Sequence, residues 1–153
     1  MLKTPLSQDS LISTFLETEK LPGSFRATLE NWYLPLAASL IARLQQSSPP
    51  LVIGINGAQG TGKSTLARFL ESALESQCRV ANLSIDDFYL DRGKRKTLAE
   101  TVHPLLASRG VPGTHDLRLL NSMMSRLLEP DETGTVQIPR FDKATDEPRP
   151  QEH

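Results

Sequence analysis

The sequence predicts an α/β fold in which parallel strands alternate with helices, preceded by a purely helical N-terminal segment. Two observations support this prediction. The apolar run Leu51–Ile55 leads directly into a glycine-rich turn and a helical pattern, and a second strand pattern, Arg79–Ile85, follows. A strand, a crossover helix and a second strand form a right-handed parallel unit in nearly all proteins.

Residues 1–49 are predicted to be helices that pack on the core formed by residues 50–153. A first helix begins near Asp9, and its apolar residues recur at helical spacing until Leu21-Pro22-Gly23 ends it. Two further helical patterns run from Phe25 to Trp32 and from Leu36 to Leu44. We interpret their apolar faces as packing surfaces.

Residues 57–64 match the phosphate-binding pattern G-x-x-x-x-G-K-[ST]. Backbone N–H groups of such a turn wrap phosphates, and the following helix directs its positive end at the same anion. Lys63 is predicted to reach the β- and γ-phosphates, and the Ser64 hydroxyl to bind Mg²⁺. The predicted nucleotide site comprises Gly57, Ala58, Gln59, Gly60, Thr61, Gly62, Lys63, Ser64 and Thr65.

Two aspartates, Asp86 and Asp87, end the second predicted strand, where ligands gather in parallel sheets. One carboxylate can orient an acceptor hydroxyl, take its proton and support the metal through water. Adjacent carboxylates point opposite ways and cannot share this task, so we expect one of them to face the phosphate loop. An acidic pair after a strand is otherwise a common helix cap.

The remainder of the chain carries weaker patterns. Residues 91–101 are basic and begin without periodicity, which fits either a solvated loop or one that approaches a phosphate. A clearer helix is predicted from about Asp116 to Leu128. Val136 and Ile138 indicate a short strand, and the tail from Asp146 onward is predicted to be unstructured.

Composition excludes several classes of function. The 153 residues carry a formal net charge of -1, which favours neither nucleic acid nor an anionic membrane as a partner. A single cysteine, Cys78, excludes an internal disulfide and a cysteine-based zinc site. No apolar run spans a bilayer and no secretory signal is present, so we expect a cytoplasmic enzyme.

Four ordered motifs give the chain a family resemblance. They are Gly57–Ser64, Ser84-Ile85-Asp86-Asp87-Phe88-Tyr89, Arg109-Gly110-Val111-Pro112-Gly113-Thr114-His115-Asp116 and Ile138-Pro139-Arg140-Phe141-Asp142-Lys143. Together they resemble the D-glycerate 3-kinase group, which is similar to the uridine kinase, phosphoribulokinase and pantothenate kinase superfamily of P-loop kinases.

This resemblance implies transfer of the γ-phosphoryl group of ATP, with Mg²⁺, to a hydroxyl of a small metabolite. It implies a three-layer α/β/α P-loop NTPase fold around a parallel sheet, with Asp86 as base and metal ligand. The implied lining of the acceptor site is Asp87, Tyr89, Arg109, His115, Asp116, Arg140 and Asp142.

Family members continue into a further strand with a Glu-Gly-Trp-like motif and a basic lid, neither of which occurs here. We therefore expect an incomplete kinase core, truncated at its C-terminus, that associates with a complementary C-terminal piece or with a second copy. The alternative hypothesis is a nucleotide-binding module or inactive fragment acting through a partner. Sparse aromatic residues favour an aliphatic hydroxy acid such as D-glycerate as the acceptor.

Overall fold

The computed structural model describes residues 7–47, 50–129 and 135–149. The chain divides into two compact units, Met1–Asn82 and Leu83–His153, here called the N-terminal and C-terminal units. This boundary after Asn82 differs from the predicted domain boundary after residue 49, which stays a prediction. In the described residues, no helix is long and apolar enough to cross a membrane.

The N-terminal unit begins with helix α1, Gln8–Thr18. The Ser7 hydroxyl caps it by accepting a hydrogen bond from the Ser10 N–H at 3.2 Å, which satisfies one of the unpaired donors at a helix start. Asp9 in the first turn complements the positive end of the helix dipole. The predicted first helix is confirmed.

The two helical patterns that follow form one continuous helical segment. A 3₁₀ turn, Gly23–Phe25, leads into α2, Arg26–Thr28, then a π-helical turn, Leu29–Tyr33, and finally α3, Leu34–Gln46. Pro35 lies in the first turn of α3, where its missing N–H is tolerated. The sequence predicted both helices but not the π turn between them.

Helix α4, Lys63–Leu74, follows the phosphate loop and confirms the predicted helix there. Its buried residues contact the earlier helices through two apolar clusters. One cluster joins Phe69 to Ile12, Phe15 and Leu29. The second is formed by Ala37, Leu70 and Leu74, with Ile55 and Val80 packed against it.

The two predicted parallel strands, Leu51–Ile55 and Arg79–Ile85, are not formed in the described residues, where Ile85 begins a 3₁₀ turn. Residues 50–57 and 79–84 join no ladder. A strand needs a partner for its backbone N–H and C=O groups, and the described residues pair none with these segments. Burial is also partial, since Val52 and Ile53 are 61% and 43% exposed.

The strands in the described residues are β1, Phe141–Asp142, and β2, Glu147–Pro148, which pair antiparallel with Phe141 opposite Pro148. The predicted strand at Val136 and Ile138 is therefore wrong, because the pairing occurs a few residues later. The prediction of an unstructured tail from Asp146 is wrong at β2. Its last residues, 150–153, lie outside the described residues.

The C-terminal unit contains a 3₁₀ turn, Ile85–Phe88, then α5, Arg92–Thr101, and α6, Leu117–Leu128. The basic segment predicted to begin as a loop is helical from Arg92, because the Asp91 carboxylate accepts the Lys94 N–H at 2.7 Å. Helix α6 confirms the prediction of a helix beginning near Asp116.

Candidate active site

The phosphate loop is a turn whose shape depends on glycine. Gly60 and Gly62 have φ of +81° and +84°, a left-handed backbone that costs other residues about 1–2 kcal/mol. Within the turn, the Thr61 hydroxyl donates a hydrogen bond to the Ala58 carbonyl at 2.8 Å. The loop therefore holds its fold through its own backbone and through side chains of its own residues.

Lys63 folds back over this turn. Its ammonium donates hydrogen bonds to the Gly57 and Ala58 carbonyls at 2.8 and 2.7 Å. A lysine held against its own loop by carbonyl oxygens is a point charge with rotatable donors. Phosphate oxygens are acceptors of the same kind and can replace these carbonyls as its partners.

The start of α4 presents unpaired backbone donors. Gly62 precedes the helix and no side chain caps it, and the first helical hydrogen bond runs from the Leu66 N–H to the Gly62 carbonyl at 2.9 Å. The N–H groups of Lys63, Ser64 and Thr65 precede that bond, as in every helix start. Together with the helix dipole they form an anion-binding end.

In the C-terminal unit, the predicted base Asp86 and the predicted lining residue Asp87 both form ion pairs. Lys143 Nζ lies 2.7 Å from Asp86 Oδ2, and Arg140 Nη1 lies 2.9 Å from Asp87 Oδ2. The Phe141 N–H also donates to Asp87 Oδ1 at 3.2 Å. We call Asp86, Asp87, Arg140 and Lys143 the paired-charge cluster.

The pairing with Lys143 changes the acidity of Asp86. The hydrogen bond from Lys143 holds the pKa of Asp86 below its ordinary 3.8, although partial burial acts in the opposite direction. Asp86 is therefore ionised at neutral pH, as a general base must be, but the lowered pKa makes it a weaker proton acceptor while Lys143 is in place. Asp87 instead anchors the start of β1.

Tyr89 and His115 lie side by side next to this cluster. They form an isolated antiparallel bridge, and their rings stack at 4.2 Å with an angle of 25°. The Phe141 ring packs edge-on against Tyr89 at 5.4 Å. Burial lowers the pKa of His115, and the Asp86 charge partly opposes this shift. His115 Nε2 is buried and makes no hydrogen bond to the described residues.

Arg109 has a structural role here. Its Nη1 donates to the Lys143 carbonyl at 3.1 Å and to Asp146 Oδ1 at 3.0 Å. Its guanidinium carbon lies 5.7 Å from the centre of the Phe141 ring. These contacts stabilise the segment that carries the cations of the paired-charge cluster, and the predicted contact of Arg109 with an acceptor stays a prediction.

Two other predicted lining residues are also used locally. Asp116 Oδ1 accepts the Leu119 N–H at 2.9 Å and caps α6. Asp142 Oδ1 accepts the Ala144 N–H at 2.8 Å in the turn between β1 and β2. Acceptor contacts by these two carboxylates stay predictions, as does the approach of an aspartate to the phosphate loop.

The structure adds three residues that the sequence did not assign. Lys143 pairs with Asp86, and Asp146 accepts a hydrogen bond from Arg95 Nη2 at 2.7 Å. The side chain of Arg95 is only 1% exposed. Lys143 belongs to the last of the four motifs and was available as a signal. The burial of Arg95 could not be predicted from the sequence, because its neighbours are basic and polar.

The donors for a metal ion are few. In the part of the chain that the structure describes, no three His, Cys, Asp or Glu side chains come together to hold one. Mg²⁺ is commonly held by one or two protein oxygens together with substrate phosphates. Ser64, exposed in the first turn of α4, fits that requirement, whereas Asp86 is engaged by Lys143.

Comparison with known proteins reveals similar kinases. The chain is 39% identical over 98 residues to an uncharacterized kinase of Schizosaccharomyces pombe, covering 62% of this chain and 35% of that protein. It is 35% identical over 100 residues to a chloroplastic D-glycerate 3-kinase of Arabidopsis thaliana, covering 63% and 22%. It is 33% identical over 96 residues to a pantothenate kinase of Vibrio cholerae, covering 60% and 29%.

The chain spans about a third or less of the length of these relatives. No solved structure matches it significantly. The model of the KAP family P-loop domain matches residues 33–138, more than half of the chain. This match includes the phosphate loop, the start of α4 and the paired aspartates. The chain therefore belongs to the KAP family of P-loop domains, an α/β class, and its resemblance to D-glycerate 3-kinase-like P-loop kinases is confirmed.

Proposed function

We propose that this chain supplies the nucleotide-binding loop and the acceptor-side carboxylates of an ATP-dependent kinase acting on a small metabolite. The observation that carries the proposal is the phosphate loop itself. Its glycines adopt left-handed angles, Lys63 lies over the turn, and α4 begins with uncapped N–H groups. This arrangement suits the β- and γ-phosphates of a nucleotide.

Within this proposal Lys63 leaves the Gly57 and Ala58 carbonyls and neutralises charge on the transferred phosphoryl group. Ser64 is the residue that would hold Mg²⁺, which supplies further charge neutralisation when bound. ATP and Mg²⁺ are thus the expected donor and metal.

Asp86 is the proposed general base. As the acceptor oxygen bonds to the γ-phosphorus and the bond to ADP breaks, its carboxylate takes the hydroxyl proton. Its ion pair with Lys143 lowers the pKa of Asp86, so Lys143 has to release the carboxylate before Asp86 can take this proton. Tyr89 and His115 are proposed to line the acceptor side beside it.

D-glycerate is the acceptor that we favour. Its carboxylate requires a cation, and the side chain of Arg140 is 48% exposed although it pairs with Asp87. The D-glycerate 3-kinase of Arabidopsis thaliana is one of the similar proteins, which supports this choice. A planar guanidinium matches a carboxylate with two parallel hydrogen bonds.

We extend the proposal to the fold. Residues 51–55 and 79–85 are inferred to be parallel strands of a three-layer α/β/α sheet that forms once a complementary C-terminal segment or partner pairs with them. The partial exposure of Val52, Ile53 and Ile85, at 61%, 43% and 57%, supports this inference. Isolated apolar strand edges are otherwise unfavourable.

Binding of Mg²⁺-ATP to the whole chain, measured by calorimetry, tests the proposal. Lys63→Ala is expected to weaken binding about 10- to 100-fold, the value of a hydrogen bond to a charged group. Lys96→Ala removes the same charge from a side chain that is 79% exposed and pairs only with Glu100 in the described residues, and it should bind normally. Equal binding by all three proteins would contradict the proposal.

Turnover is tested separately by coupling ADP release to D-glycerate addition. Activity that Asp86→Ala abolishes supports the kinase. Nucleotide binding without any phosphorylated product from D-glycerate or other polyols would instead favour the alternative, a nucleotide-binding module that acts through a partner.

A further inference from the structure

Tyr33 ends the one π-helical turn found in the described residues, Leu29–Tyr33, between α2 and α3. Single π turns within α-helices are uncommon and often occur at functional sites. Neither the motifs nor the proposed function gives this turn a role. A π turn rotates the residue at its end away from the direction that it would have in a regular α-helix, and here that residue is Tyr33.

The side chain of Tyr33 reaches the phosphate loop. Its hydroxyl lies beside Gly62, 3.8 Å from the position that a Cβ atom on this glycine would occupy. Gly62 is the left-handed residue directly before α4, and its carbonyl accepts the first hydrogen bond of that helix. The hydroxyl therefore lies where the loop becomes the anion-binding helix.

Two aromatic rings fix the position of Tyr33. Phe25 packs edge-on against its ring at 5.9 Å, and Phe69 of α4 packs at 5.6 Å. The Tyr33 hydroxyl makes no hydrogen bond to the part of the chain that the structure describes, and partial burial raises its pKa. The ring is therefore used for apolar packing, and the hydroxyl at its end lies beside the glycine loop.

We propose that Tyr33 is a positioning residue for the phosphate loop, holding Gly62 and the first turn of α4 in the conformation that binds phosphates. This inference rests on the proposed nucleotide site and extends it to the helical segment that precedes the motif. The π turn aims the ring, Phe25 and Phe69 hold it, and its oxygen limits movement of the Gly62 backbone.

A matched control variant separates a positioning role of Tyr33 from a role in apolar packing alone. Phe15 contacts the same Phe69 ring, edge-on at 5.1 Å, and is buried in the same cluster. Phe15→Leu therefore removes comparable packing while leaving the Tyr33 hydroxyl beside Gly62. Tyr33→Leu removes both the ring and the hydroxyl, and Tyr33→Phe retains the ring.

The experiment uses the whole chain and two measurements. Hydrogen exchange of the Leu66 amide reports on its bond to the Gly62 carbonyl, and calorimetry reports the affinity for Mg²⁺-ATP. As a check on both measurements, Trp32, the single tryptophan and 73% exposed, gives a fluorescence signal from within the π turn.

We expect Tyr33→Leu to speed Leu66 exchange and weaken nucleotide binding roughly three- to tenfold, the value of one aromatic contact. Tyr33→Phe should restore part of the slow Leu66 exchange and part of the nucleotide affinity. Phe15→Leu should change neither quantity when the variants are compared under conditions in which the same fraction of each protein is folded. Equal effects of Tyr33→Leu and Phe15→Leu on both measurements would overturn the inference. If the unaltered chain binds no nucleotide, the proposed function fails, and Leu66 exchange still decides the role of Tyr33.

Discussion

The two units hold their functional groups by different means. In the N-terminal unit the phosphate loop uses consecutive residues, backbone N–H groups and glycine angles, supported by an apolar cluster around Phe69. In the C-terminal unit, Asp86 and Lys143 are 57 positions apart and are joined by a charge pair. A site built from local backbone is visible as a motif, whereas one built from distant charges depends on the fold.

The same contrast extends to stability. The core of the N-terminal unit is apolar, so its stability should respond little to salt or pH. In the C-terminal unit, Asp146 lies within 4 Å of three guanidinium groups, those of Arg92, Arg95 and Arg109. Arg95 is almost fully buried, and such charges require a partner.

The largest expected effect comes from removing the Asp146 carboxylate that these three arginines share. We call Asp146 and the three arginines the charge centre. Asp146→Ala leaves the buried Arg95 without its carboxylate and places alanine at a φ of +60°. We expect the C-terminal unit to lose about 3–5 kcal/mol of unfolding free energy. Hydrogen exchange of α5 and β1 amides measures this loss.

Asp146→Asn is the matched control, because asparagine tolerates the left-handed backbone and keeps an acceptor. It should cost clearly less than alanine. If both variants exchange as slowly as the unaltered chain, the charge centre does not stabilise this unit. Amides of α4 should be unaffected in either variant.

The second effect concerns the glycine angles of the phosphate loop. Gly62→Ala should destabilise the loop conformation by about 1–2 kcal/mol through its left-handed φ. Gly60→Ala has nearly the same angle, and its added Cβ would meet no atom within 4 Å. It should therefore carry the backbone cost alone.

Affinity for Mg²⁺-ATP should fall in both glycine variants, and Leu66 exchange should quicken further in Gly62→Ala, because Gly62 begins α4. Unchanged affinity in both would mean that the loop binds phosphate in some other conformation. The comparison measures how far nucleotide binding depends on local backbone.

The smallest expected effect is a pH dependence of the C-terminal unit. Burial lowers the pKa of His115 below its ordinary 6.5. Between the lowered pKa of the folded chain and the ordinary 6.5 of the unfolded chain, the unfolded chain binds more protons. Stability is therefore lost as the pH falls below about 6.5. Urea unfolding at pH 7.5 and 5.5 measures the change.

His115→Asn should reduce that dependence. His103→Asn should leave it, because His103 is exposed and asparagine can still accept the Leu105 N–H that its ring now accepts. An equal response to pH in all three proteins would show that burial of His115 is not its source. The charge pair of Asp86 acts in a more acidic range, because the pKa of that carboxylate is lowered from 3.8.

Much of the helical structure was predictable, because apolar spacing and caps are local properties. Helices α1, α4 and α6 lie where the patterns placed them. Helix α5 was partly missed because Arg95, its buried residue, is charged. The predicted strands failed for another reason, since a strand depends on a neighbour that its own residues cannot specify.

The sequence by itself determined the phosphate loop and its position before α4, because glycine angles and helix starts depend on neighbouring residues. It also indicated Asp86, Asp87 and the motif that contains Lys143. The tertiary structure decided which cation pairs with which carboxylate, that Arg109 and Asp146 hold the second unit together, and that the Tyr33 hydroxyl lies beside Gly62. Such contacts join residues far apart in the chain, and only folding sets the distances between them.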